Sequence, residues 1–465
     1  MDHGSARSGE RRLERDVIIV GGGPAGCALA LSLKKRGRTV GLIERSRFRD
    51  PRVGEHLAPE ARPLLDQVGV TAAFEGAGHL RCPMIRSAWG DAELVDTEYL
   101  FNAHGAGWNL DRRRFDALLA EAVRSAGVDF FAPASIKAIE RMTRGWRVAA
   151  ATTDRCVRFE SRILVDATGR SATIARRLGG RRVVHDRLMG IVNWLDIQER
   201  PRTENAWVLV EGLETGWWYS ALLPQSSVVA ALMTDLDLLR SMAAPDALWR
   251  ASLRRSTHTR ERLEESCPSG RVRVQAAFTQ RLEPACGDQW FAVGDAAAAF
   301  DPLSSSGMTT ALQSGLAAAS AIDRTLMGDV SALEEYAVDV RADFEWYLKE
   351  RLAVYRRESR WADSPFWSRR QSAAVDLPKI TLDPHRIVHA GPGWQQRRQH
   401  CQSRWLAASD LDNLCALCAR PGPAHAAISA FRATIKASRR ITDQRVILAL
   451  QDLVAAGTLT VTEIA

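Results

Sequence analysis

The chain has 465 residues, of which 46% are hydrophobic and 25% are charged. This composition excludes a disordered chain, because enough apolar side chains are present to form cores, and the length predicts two or three domains. No apolar run reaches the roughly 18 residues that a membrane helix needs, so we expect no membrane-spanning segment. The net charge of +8 is not accompanied by a nucleic-acid-binding motif, and we expect no nucleic-acid partner.

Eight cysteines are spread along the chain, a pattern typical of the reduced thiols of cytoplasmic proteins. Cys415 and Cys418 form one CxxC pair downstream of His400 and Cys401. A zinc site would need a second ligand pair at matching spacing, so we expect no metal. The first residues are polar, lack the apolar stretch of a signal peptide, and predict a disordered arm over residues 1–14.

A glycine-rich motif lies between two β-branched runs near the start of the chain. Residues 17–20 predict a buried parallel strand, residues 27–35 have a helical pattern, and between them lies Gly21-Gly22-Gly23-Pro24-Ala25-Gly26. Gly21 would permit a tight turn, Gly23 would let a pyrophosphate approach the backbone, and Gly26 would let the helix pack closely. A second predicted strand, residues 39–43, ends in Glu44, 18 residues after Gly26 and placed to accept ribose hydroxyls. The complete unit predicts a dinucleotide site.

Two later motifs extend this pattern. Residues 163–165 predict a strand followed by Asp166-Ala167-Thr168-Gly169-Arg170. Residues 289–293 predict another, followed by Gly294-Asp295 and by Asp301-Pro302-Leu303-Ser304-Ser305-Ser306-Gly307-Met308. With the glycine loop, these motifs resemble the FAD-dependent monooxygenases of the hydroxybenzoate-hydroxylase fold. The resemblance covers residues 16 to about 320 and implies an α/β fold class, with a single Rossmann-like FAD-binding domain and an antiparallel β-sheet substrate domain.

The resemblance also implies contacts to FAD. Asp295 would accept a ribityl hydroxyl, with helix capping as the alternative, and the N–H groups near Gly307 and Met308 would face the flavin pyrimidine ring. Arg112 matches the position whose guanidinium reaches the cofactor, with Arg113 or Arg114 as alternatives if the register shifts. The cofactor-binding residues implied in this way are Gly21, Gly23, Pro24, Ala25, Gly26, Glu44, Arg45, Arg112, Asp166, Gly169, Asp295, Pro302, Gly307 and Met308.

The region between the motifs has the alternation of antiparallel strands. The predicted strands are residues 190–197, 206–211, 216–223, 227–234 and 271–278. They resemble the sheet that forms the floor of the substrate pocket in this fold. Alternation places Trp217 and Tyr219 on one face and Trp218 on the other. These three are the candidate substrate-binding residues, and core packing is the alternative for each.

Two groups within the fold are similar to this chain, and the first is the flavin-dependent tryptophan halogenases. The similar segments are Gly54-Glu55-His56-Leu57, Gly216-Trp217-Trp218-Tyr219 with Pro224, and Asp301-Pro302. Membership of that group would also require a lysine near the pocket to deliver hypohalous acid. No lysine lies between Lys35 and Lys137, and this absence disfavours halogenation.

The fuller resemblance is to flavoproteins that hydroxylate a tryptophan inside a partner protein during tryptophylquinone maturation, such as the peptidyl-tryptophan dihydroxylases of quinohaemoprotein amine dehydrogenase biogenesis. The segments that carry it are residues 216–220, 301–308 and 360–367. The implied chemistry is attack of a flavin C4a-hydroperoxide on an electron-rich indole in a dry pocket, followed by loss of the ring proton to a base. Glu55 and His56 are the candidate catalytic bases, with a surface position as the alternative for each.

We therefore expect an FAD-dependent monooxygenase that hydroxylates, and by resemblance dihydroxylates, a tryptophan within a protein substrate. Its partners would be that protein, alone or together with its other maturation enzyme, and O2. An external reductant would also be needed, since only one nucleotide-binding glycine loop is present. The alternatives are a halogenase or hydroxylase of a small indole compound, and a non-catalytic flavoprotein that scaffolds a maturing partner.

The expected domains are a discontinuous FAD-binding domain over residues 15–185 and 280–350, a β-sheet substrate domain over 186–279, and a small helical C-terminal domain over 351–465. In the last, residues 411–419, 426–437 and 443–456 have helical periodicity. Its tryptophans could receive a polypeptide or serve helix packing. They include Trp361, Trp367, Trp394 and Trp405.

Overall fold

The computed structural model describes residues 11–197, 206–241, 244–372, 387–391, 403, 405–435, 439, 441–456 and 458–462. The chain forms two compact units, one of residues 1–319 with 354–372 and one of residues 320–353 with 373–465. The expected FAD-binding and β-sheet parts therefore share one unit, and the second unit takes residues 320–353 in addition to C-terminal residues. Trp394, His400 and Cys401 lie outside the described residues.

Two eight-stranded sheets contain most of the strands of the first unit. The described strands are, in chain order, β1 (Arg11–Val20), β2 (Val40–Ile43), β3 (His56–Leu57), β4 (Leu80–Cys82), β5 (Met84–Ala88), β6 (Val95–Glu98), β7 (Gly107–Asn109), β8 (Asp129–Phe131), β9 (Ser135–Arg141), β10 (Trp146–Ala151), β11 (Cys156–Asp166), β12 (Arg181–Val184), β13 (Leu188–Ile197), β14 (Val208–Leu213), β15 (Gly216–Leu223), β16 (Ser227–Asp235), β17 (Ser266–Pro268), β18 (Arg273–Ala276), β19 (Gln280–Glu283), β20 (Cys286–Gly287), β21 (Trp290–Ala292), β22 (Ala298–Ala299), β23 (Ile387–Ala390), β24 (Gly422–Pro423) and β25 (Leu459–Thr462). The five strands predicted between the motifs are confirmed, with ends shifted by at most two residues.

The described helices include the three predicted near the C-terminus, with ends within three residues of the prediction. They are α1 (Pro24–Lys35), α2 (Arg62–Val68), α3 (Thr71–Glu75), α4 (Arg112–Ser125), α5 (Thr173–Arg177), α6 (Leu236–Ser241), α7 (Pro245–Arg255), α8 (His258–Arg262), α9 (Gly307–Leu326), α10 (Ser331–Arg356), α11 (Pro365–Gln371), α12 (Ala408–Leu417), α13 (Ala424–Thr434) and α14 (Asp443–Ala455). Among the described residues, no helix combines the length and the apolar character needed to cross a membrane.

The first sheet has a parallel centre in the order β21-β11-β1-β2-β8. β1 is longer than the apolar run predicts, since it pairs with β11 from Arg11 onward. Its charged first half is stabilised by ion pairs from Arg12 to Glu160 and from Arg15 to Asp129. Residues 11–14 therefore belong to the strand, which corrects the predicted disordered arm at that end.

Parallel pairing brings the ends of several strands to one edge of this sheet. β1, β2, β11 and β21 all end there, and each is followed by one of the sequence motifs. α1 leads from β1 to β2 on one side, whereas β11 lies on the other side of β1. The strand order reverses at this point, where open α/β sheets bind their ligands.

The second sheet has the order β17-β13-β16-β15-β14-β5-β6, with β18 beside β13. Its two faces are both apolar. Trp217 and Tyr219 lie in one buried cluster, while Trp218 lies in a cluster on the other face, where its ring meets Trp249 edge-on. The predicted alternation is therefore confirmed, and both faces of this sheet are covered.

The second unit packs around α12–α14. Trp405 is fully buried in this core, and its main-chain oxygen accepts a bond of 2.8 Å from the buried Arg445 guanidinium. Cys415 and Cys418 are buried in the same core. Within the described ranges, no group of three or more His, Cys, Asp or Glu side chains is arranged to hold a metal ion.

Candidate active site

A cavity of about 550 Å3 lies between the loop edge of the first sheet and one face of the second. This volume is typical of a site for a small molecule or cofactor. Thirteen of the nineteen sequence-predicted site residues line it, namely Gly23, Pro24, Ala25, Arg45, Glu55, His56, Arg112, Gly169, Tyr219, Asp295, Pro302, Gly307 and Met308. Gly21, Gly26, Glu44, Asp166, Trp217 and Trp218 are not on the lining.

The glycine loop has the geometry that the sequence predicts. Gly21 has φ +115°, and a Cβ there would lie 2.1 Å from the Ala167 oxygen. At Gly26 a Cβ would lie 2.0 Å from the Gly21 oxygen, so this glycine permits the close start of α1. Gly23 differs, because a Cβ at this position would meet no protein atom within 4 Å. The open space lies in the part of the cavity lined by Gly23, Pro24 and Ala25 at the N-terminus of α1, which we call the cradle. This open space and the free N–H groups of the helix end suit a pyrophosphate.

The acid after β2 stabilises the glycine loop. Glu44 is buried, and its two carboxylate oxygens accept the main-chain N–H groups of Gly22 and Ser46, each at 2.7 Å. Each oxygen keeps a further lone pair. The exposed neighbour Arg45, rather than Glu44, lies on the lining.

Asp166 has a structural role that the prediction missed. Its buried carboxylate accepts the N–H and hydroxyl of Thr168 at 2.8 and 2.7 Å, and the N–H groups of Ile174 and Ala175 at 2.8 and 2.7 Å. All four bonds are used to fix the turn after β11 and the start of α5. The prediction of Asp166 as a cofactor contact is therefore not supported by its position.

Arg170 lines the cavity and was not among the predicted site residues. Its guanidinium donates to the main-chain oxygens of Phe278 and Phe300, each at 2.7 Å, and lies 3.3 Å from the Asp295 carboxylate. It therefore links the β11 and β21 loops. Arg170 could have been predicted as a site residue from the sequence, because it directly follows Gly169 in one of the three motifs. Asp295 keeps its predicted position at the cavity, in the turn after β21.

α9 begins at the cavity wall with Gly307 and Met308. Its first N–H groups have no partner within the helix and form the positive end of its dipole. The preceding loop is held by the buried Asp301, which accepts the Tyr355 hydroxyl at 2.8 Å and the Leu303 N–H at 3.0 Å. A developing negative charge near Met308 would be stabilised by this helix end.

Two cavity arginines share one buried carboxylate. Arg112 and Arg52 both contact Asp116, at 3.1 and 3.0 Å. Arg112 also donates to the main-chain oxygens of Val53 and Gly54, which positions the segment before Glu55. Asp116 was missed, although its i,i+4 spacing from Arg112 is a recognisable signal. The alternatives Arg113 and Arg114 instead pair with Asp111, the N-cap of α4.

Glu55 is the buried ionisable group best placed for proton transfer. Its side chain lines the cavity, and its Oε2 accepts the Gly54 N–H at 3.0 Å. Its Oε1 is buried and has no hydrogen-bond partner among the described residues. Burial raises the pKa of this carboxyl to about 7, despite the nearby Arg112 charge. A group with a pKa near neutrality and a free oxygen atom suits general acid–base work.

His56, the second candidate base, already has partners for both ring nitrogens. Asn109 donates through Nδ2 to the Ala206 oxygen, which turns its Oδ1 toward His56 Nδ1 at 3.3 Å. His56 Nε2 lies 3.2 Å from the Tyr99 hydroxyl. Burial lowers the pKa of His56 to about 4, so the ring is neutral at pH 7. The geometry favours Glu55 over His56 as the base.

The second sheet supplies the wall opposite the glycine loop. Its alternate residues Gly190 and Val192 on β13, and Val229, Ala231 and Met233 on β16, face the cavity together with Tyr219 of β15. Burial raises the pKa of Tyr219 far above its ordinary value, and the Glu55 charge adds to this effect. The phenol is therefore neutral and presents a hydroxyl beside apolar side chains.

Trp217 and Trp218 do not line the cavity, which corrects their prediction as substrate contacts. Trp217 is fully buried, and its Nε1 donates to the Tyr355 hydroxyl at 3.1 Å. Trp218 is fully buried on the opposite face, against Trp249. Both indoles therefore pack in the cores on the two faces of the sheet, which agrees with the core-packing alternative. Trp367 is fully buried in the same cluster as Trp217, and the partly buried Trp361 stacks on it with ring centroids 6.2 Å apart.

A smaller cavity of about 210 Å3 adjoins the first. The two cavities share Pro51, Arg52, Glu55 and Arg112. The second is otherwise lined by side chains that include Trp194 and Asp196 of β13. Glu55 therefore borders both cavities.

Substitution of Gly23 tests the cradle. Gly23→Val is expected to lower the affinity for FAD at least tenfold, since the new side chain occupies the cradle, while the free energy of unfolding without FAD changes little. Flavin titration and chemical denaturation measure the two effects. Gly422→Val, at another glycine with open space around it, is the control. Equal FAD affinity in both variants would contradict the placement of the pyrophosphate.

Asp166→Ala tests the capping role. Loss of the carboxylate should lower the free energy of unfolding by about 2 kcal/mol, because it leaves buried N–H groups without acceptors. The folded fraction should bind FAD with nearly unchanged affinity. Asp154→Ala, at an exposed position, is the matched control. A large loss of FAD affinity with unchanged stability would instead restore Asp166 as a cofactor contact.

Comparison with known proteins identifies the family of the chain. A family model described as the FAD binding domain matches residues 14–350. LodB of Marinomonas mediterranea, named as an FAD-dependent oxidoreductase, is 29% identical over 367 residues, which cover 77% of this chain and 97% of LodB. Flavin-dependent halogenases are also similar, including the tryptophan 2-halogenase of Chondromyces crocatus, 25% identical over 378 residues and covering 78% of this chain and 71% of the halogenase.

Solved structures share the fold at lower identity. The myxobacterial chondrochloren halogenase CndH has a TM-score of 0.71 at 22% identity, covering 96% of this chain and 97% of CndH. The peptidyl tryptophan dihydroxylase QhpG has a TM-score of 0.68 at 20% identity, covering 96% of this chain and 99% of QhpG. Because the family model matches well over half of the chain, the protein belongs to the FAD binding domain family, and its cofactor is FAD.

Proposed function

We propose that this flavoprotein oxygenates an aromatic ring, and that the ring is a tryptophan side chain presented by a polypeptide. The observation that carries the proposal is the combination, in one cavity, of an FAD cradle, the buried Glu55 carboxyl and a wall without lysine among the described lining residues. The cradle supplies the redox chemistry, Glu55 supplies a base, and the missing lysine separates oxygenation from halogenation.

The chain's own groups would bind FAD and exclude water. The loop at Gly23 and the start of α1 would hold the pyrophosphate, and the start of α9 would lie at the flavin ring. When reduced by an external donor, bound FAD activates O2, so that one oxygen atom can enter an electron-rich ring and the other leaves as water. Val192, Val229 and Ala231 keep this part of the cavity apolar, which protects reactive species from water.

Glu55 would complete the reaction by taking a proton. Once a ring carbon has gained oxygen, its hydrogen must leave as a proton for aromaticity to return. Oε1 of Glu55 is the proposed acceptor, since Glu55 lines the cavity and this oxygen is buried with no hydrogen-bond partner among the described residues. The smaller cavity, which Glu55 also lines, offers the proton a route away from the ring.

The polypeptide part of the proposal has separate support. Residues 216–220, 301–308 and 360–367 resemble flavoproteins that act on a tryptophan within a protein. QhpG, described as a peptidyl tryptophan dihydroxylase, aligns over nearly the full length of both chains. At 20% identity this likeness shows a shared fold alone. The tryptophan is therefore proposed to enter as part of a longer chain.

Halogenation, or hydroxylation, of a small indole compound is the second candidate, and the relatives favour it more than they favour a protein substrate. Tryptophan and other halogenases are among the similar proteins. The basic residues that line the cavity argue against halogenation. Arg52, Arg112 and Arg170 are each paired with a carboxylate, and a guanidinium lacks the free amine of a lysine, because it stays protonated in proteins.

Isotope incorporation distinguishes these candidates. FAD-loaded enzyme, reduced and mixed with 18O2, chloride and bromide, is offered free tryptophan and a synthetic peptide with one central tryptophan. We expect one or two 18O atoms in the peptide indole by mass spectrometry. Halogen in either product would contradict oxygenation, label confined to free tryptophan would contradict the polypeptide substrate, and label in neither would favour a scaffold without catalysis.

The pH profile tests Glu55. The oxygenation rate should rise as pH increases through about 7, because the base must be ionised and burial raises the pKa of Glu55 to about 7. Glu55→Gln should remove this limb and lower the rate roughly 100-fold or more. The exposed Glu60→Gln is the control. An unchanged profile in Glu55→Gln would contradict the assignment, since His56, with its pKa lowered to about 4, is already neutral across this range.

A further inference from the structure

One edge of the second sheet has no neighbouring strand among the described residues. β6 ends the order of strands, and all four of its residues are exposed. Tyr99, the next residue, donates its N–H to the Pro83 oxygen at 2.9 Å. Because main-chain bonds alternate along an antiparallel pair, Val95 and Thr97 bond inward to β5, and the main-chain groups of Asp96 and Glu98 face the open edge.

Large apolar side chains are exposed beside this edge. Val95 is 58% exposed, Leu100 is 74% exposed and Phe101 is 95% exposed. Natural sheets commonly protect an open edge from other chains with charged residues. An exposed leucine and phenylalanine next to the edge have the opposite effect, since their burial by another chain is favourable.

The same segment has an unusual charge. No lysine or arginine occurs from residue 87 to residue 111, although the whole chain has a net charge of +8. Asp91, Glu93, Asp96 and Glu98 all lie in this stretch and are exposed. Among the described residues, Asp96 is the one of these four acids that forms an ion pair, with Arg86 at 2.8 Å. The edge therefore attracts positively charged chains.

This edge is connected to the cavity wall through Tyr99. The Tyr99 ring stacks on His56 with centroids 6.2 Å apart and an angle of 10° between the planes. Its hydroxyl lies 3.2 Å from His56 Nε2, and His56 lines the cavity. A chain bound along β6 would thus lie next to Tyr99, which directly follows β6 and contacts His56 in the cavity wall.

We infer that β6 is the docking edge for the polypeptide substrate, which adds an extended basic segment as a further strand, with Leu100 and Phe101 as an apolar anchor. Main-chain bonds to Asp96 and Glu98 supply affinity, and the acidic side chains supply the preference for basic sequences. This inference rests on the proposed function, since it assumes that the target tryptophan arrives within a polypeptide.

Peptide binding to the FAD-loaded enzyme tests the docking edge without turnover. The probes are a labelled peptide of alternating lysine and valine with one tryptophan, and its counterpart with glutamate in place of lysine. Fluorescence anisotropy should show at least tenfold tighter binding of the lysine peptide. Hydrogen exchange should slow at the Asp96 and Glu98 amides. Equal binding of the two peptides, or protection located elsewhere, would overturn the inference.

Two variants locate the interaction. Glu98→Pro removes an outward N–H and should weaken binding at least tenfold, whereas Glu98→Ala, which keeps that N–H, should weaken it less. Phe101→Ser should also weaken binding and does not alter the strand. Unchanged binding by Glu98→Pro and Phe101→Ser would reject the edge. Docking that persists without oxygen incorporation would contradict the proposed function alone, and oxygenation of a peptide that does not protect β6 would contradict docking alone.

Discussion

Parallel pairing in the first sheet is the constraint on which the rest of the structure depends. β1 pairs in register with β2 on one side and with β11 on the other, and β11 pairs with β21. Segments that are more than 100 residues apart in the chain therefore end at one edge. The glycine loop, the Gly169 turn and Asp295 become neighbours because their strands are aligned. Without this register, each motif would be an isolated loop with no common ligand.

Buried carboxylates around this edge have two different roles. Glu44, Asp116 and Asp166 each have main-chain or arginine donors, which offset the cost of burying them. In Glu55, Oε2 accepts the main-chain N–H of Gly54, whereas Oε1 has no hydrogen-bond partner among the described residues. Burial of this carboxyl raises its pKa to about 7. Since the folded state favours the protonated form, the stability contributed by Glu55 is present at acid pH and is lost as pH rises through about 7. A group that destabilises the ionised folded state in this way suits a functional role.

Local patterns in the sequence predicted the strands that lead into the motifs, the five strands between the motifs and the glycine loop, because alternation and glycine geometry act over a few residues. They predicted thirteen residues of the cavity lining, and the rest of the lining depends on the fold. Aromatic composition was a poor guide to the substrate wall. Trp217, Trp218 and Tyr219 are all aromatic residues of one strand, so composition does not distinguish them. Packing between the sheet and its neighbours decides which of the three rings reaches the cavity. The roles of Asp166 and Arg170 could not be predicted from local sequence either, because their hydrogen bonds join residues that only the fold brings together. The open edge of β6 depends on strand order and could not be inferred from a local pattern.

We propose that FAD in this cavity presents its ring to an aromatic substrate beside Glu55. A crystal structure of the FAD-loaded enzyme with a bound tryptophan-containing peptide tests it most directly. In that structure we expect the flavin ring at the start of α9, the indole against the Tyr219 face of the second sheet, and Glu55 Oε1 turned toward the indole within about 4 Å. A flavin ring outside this cavity, or an indole that binds away from Glu55, would contradict this placement of cofactor and substrate.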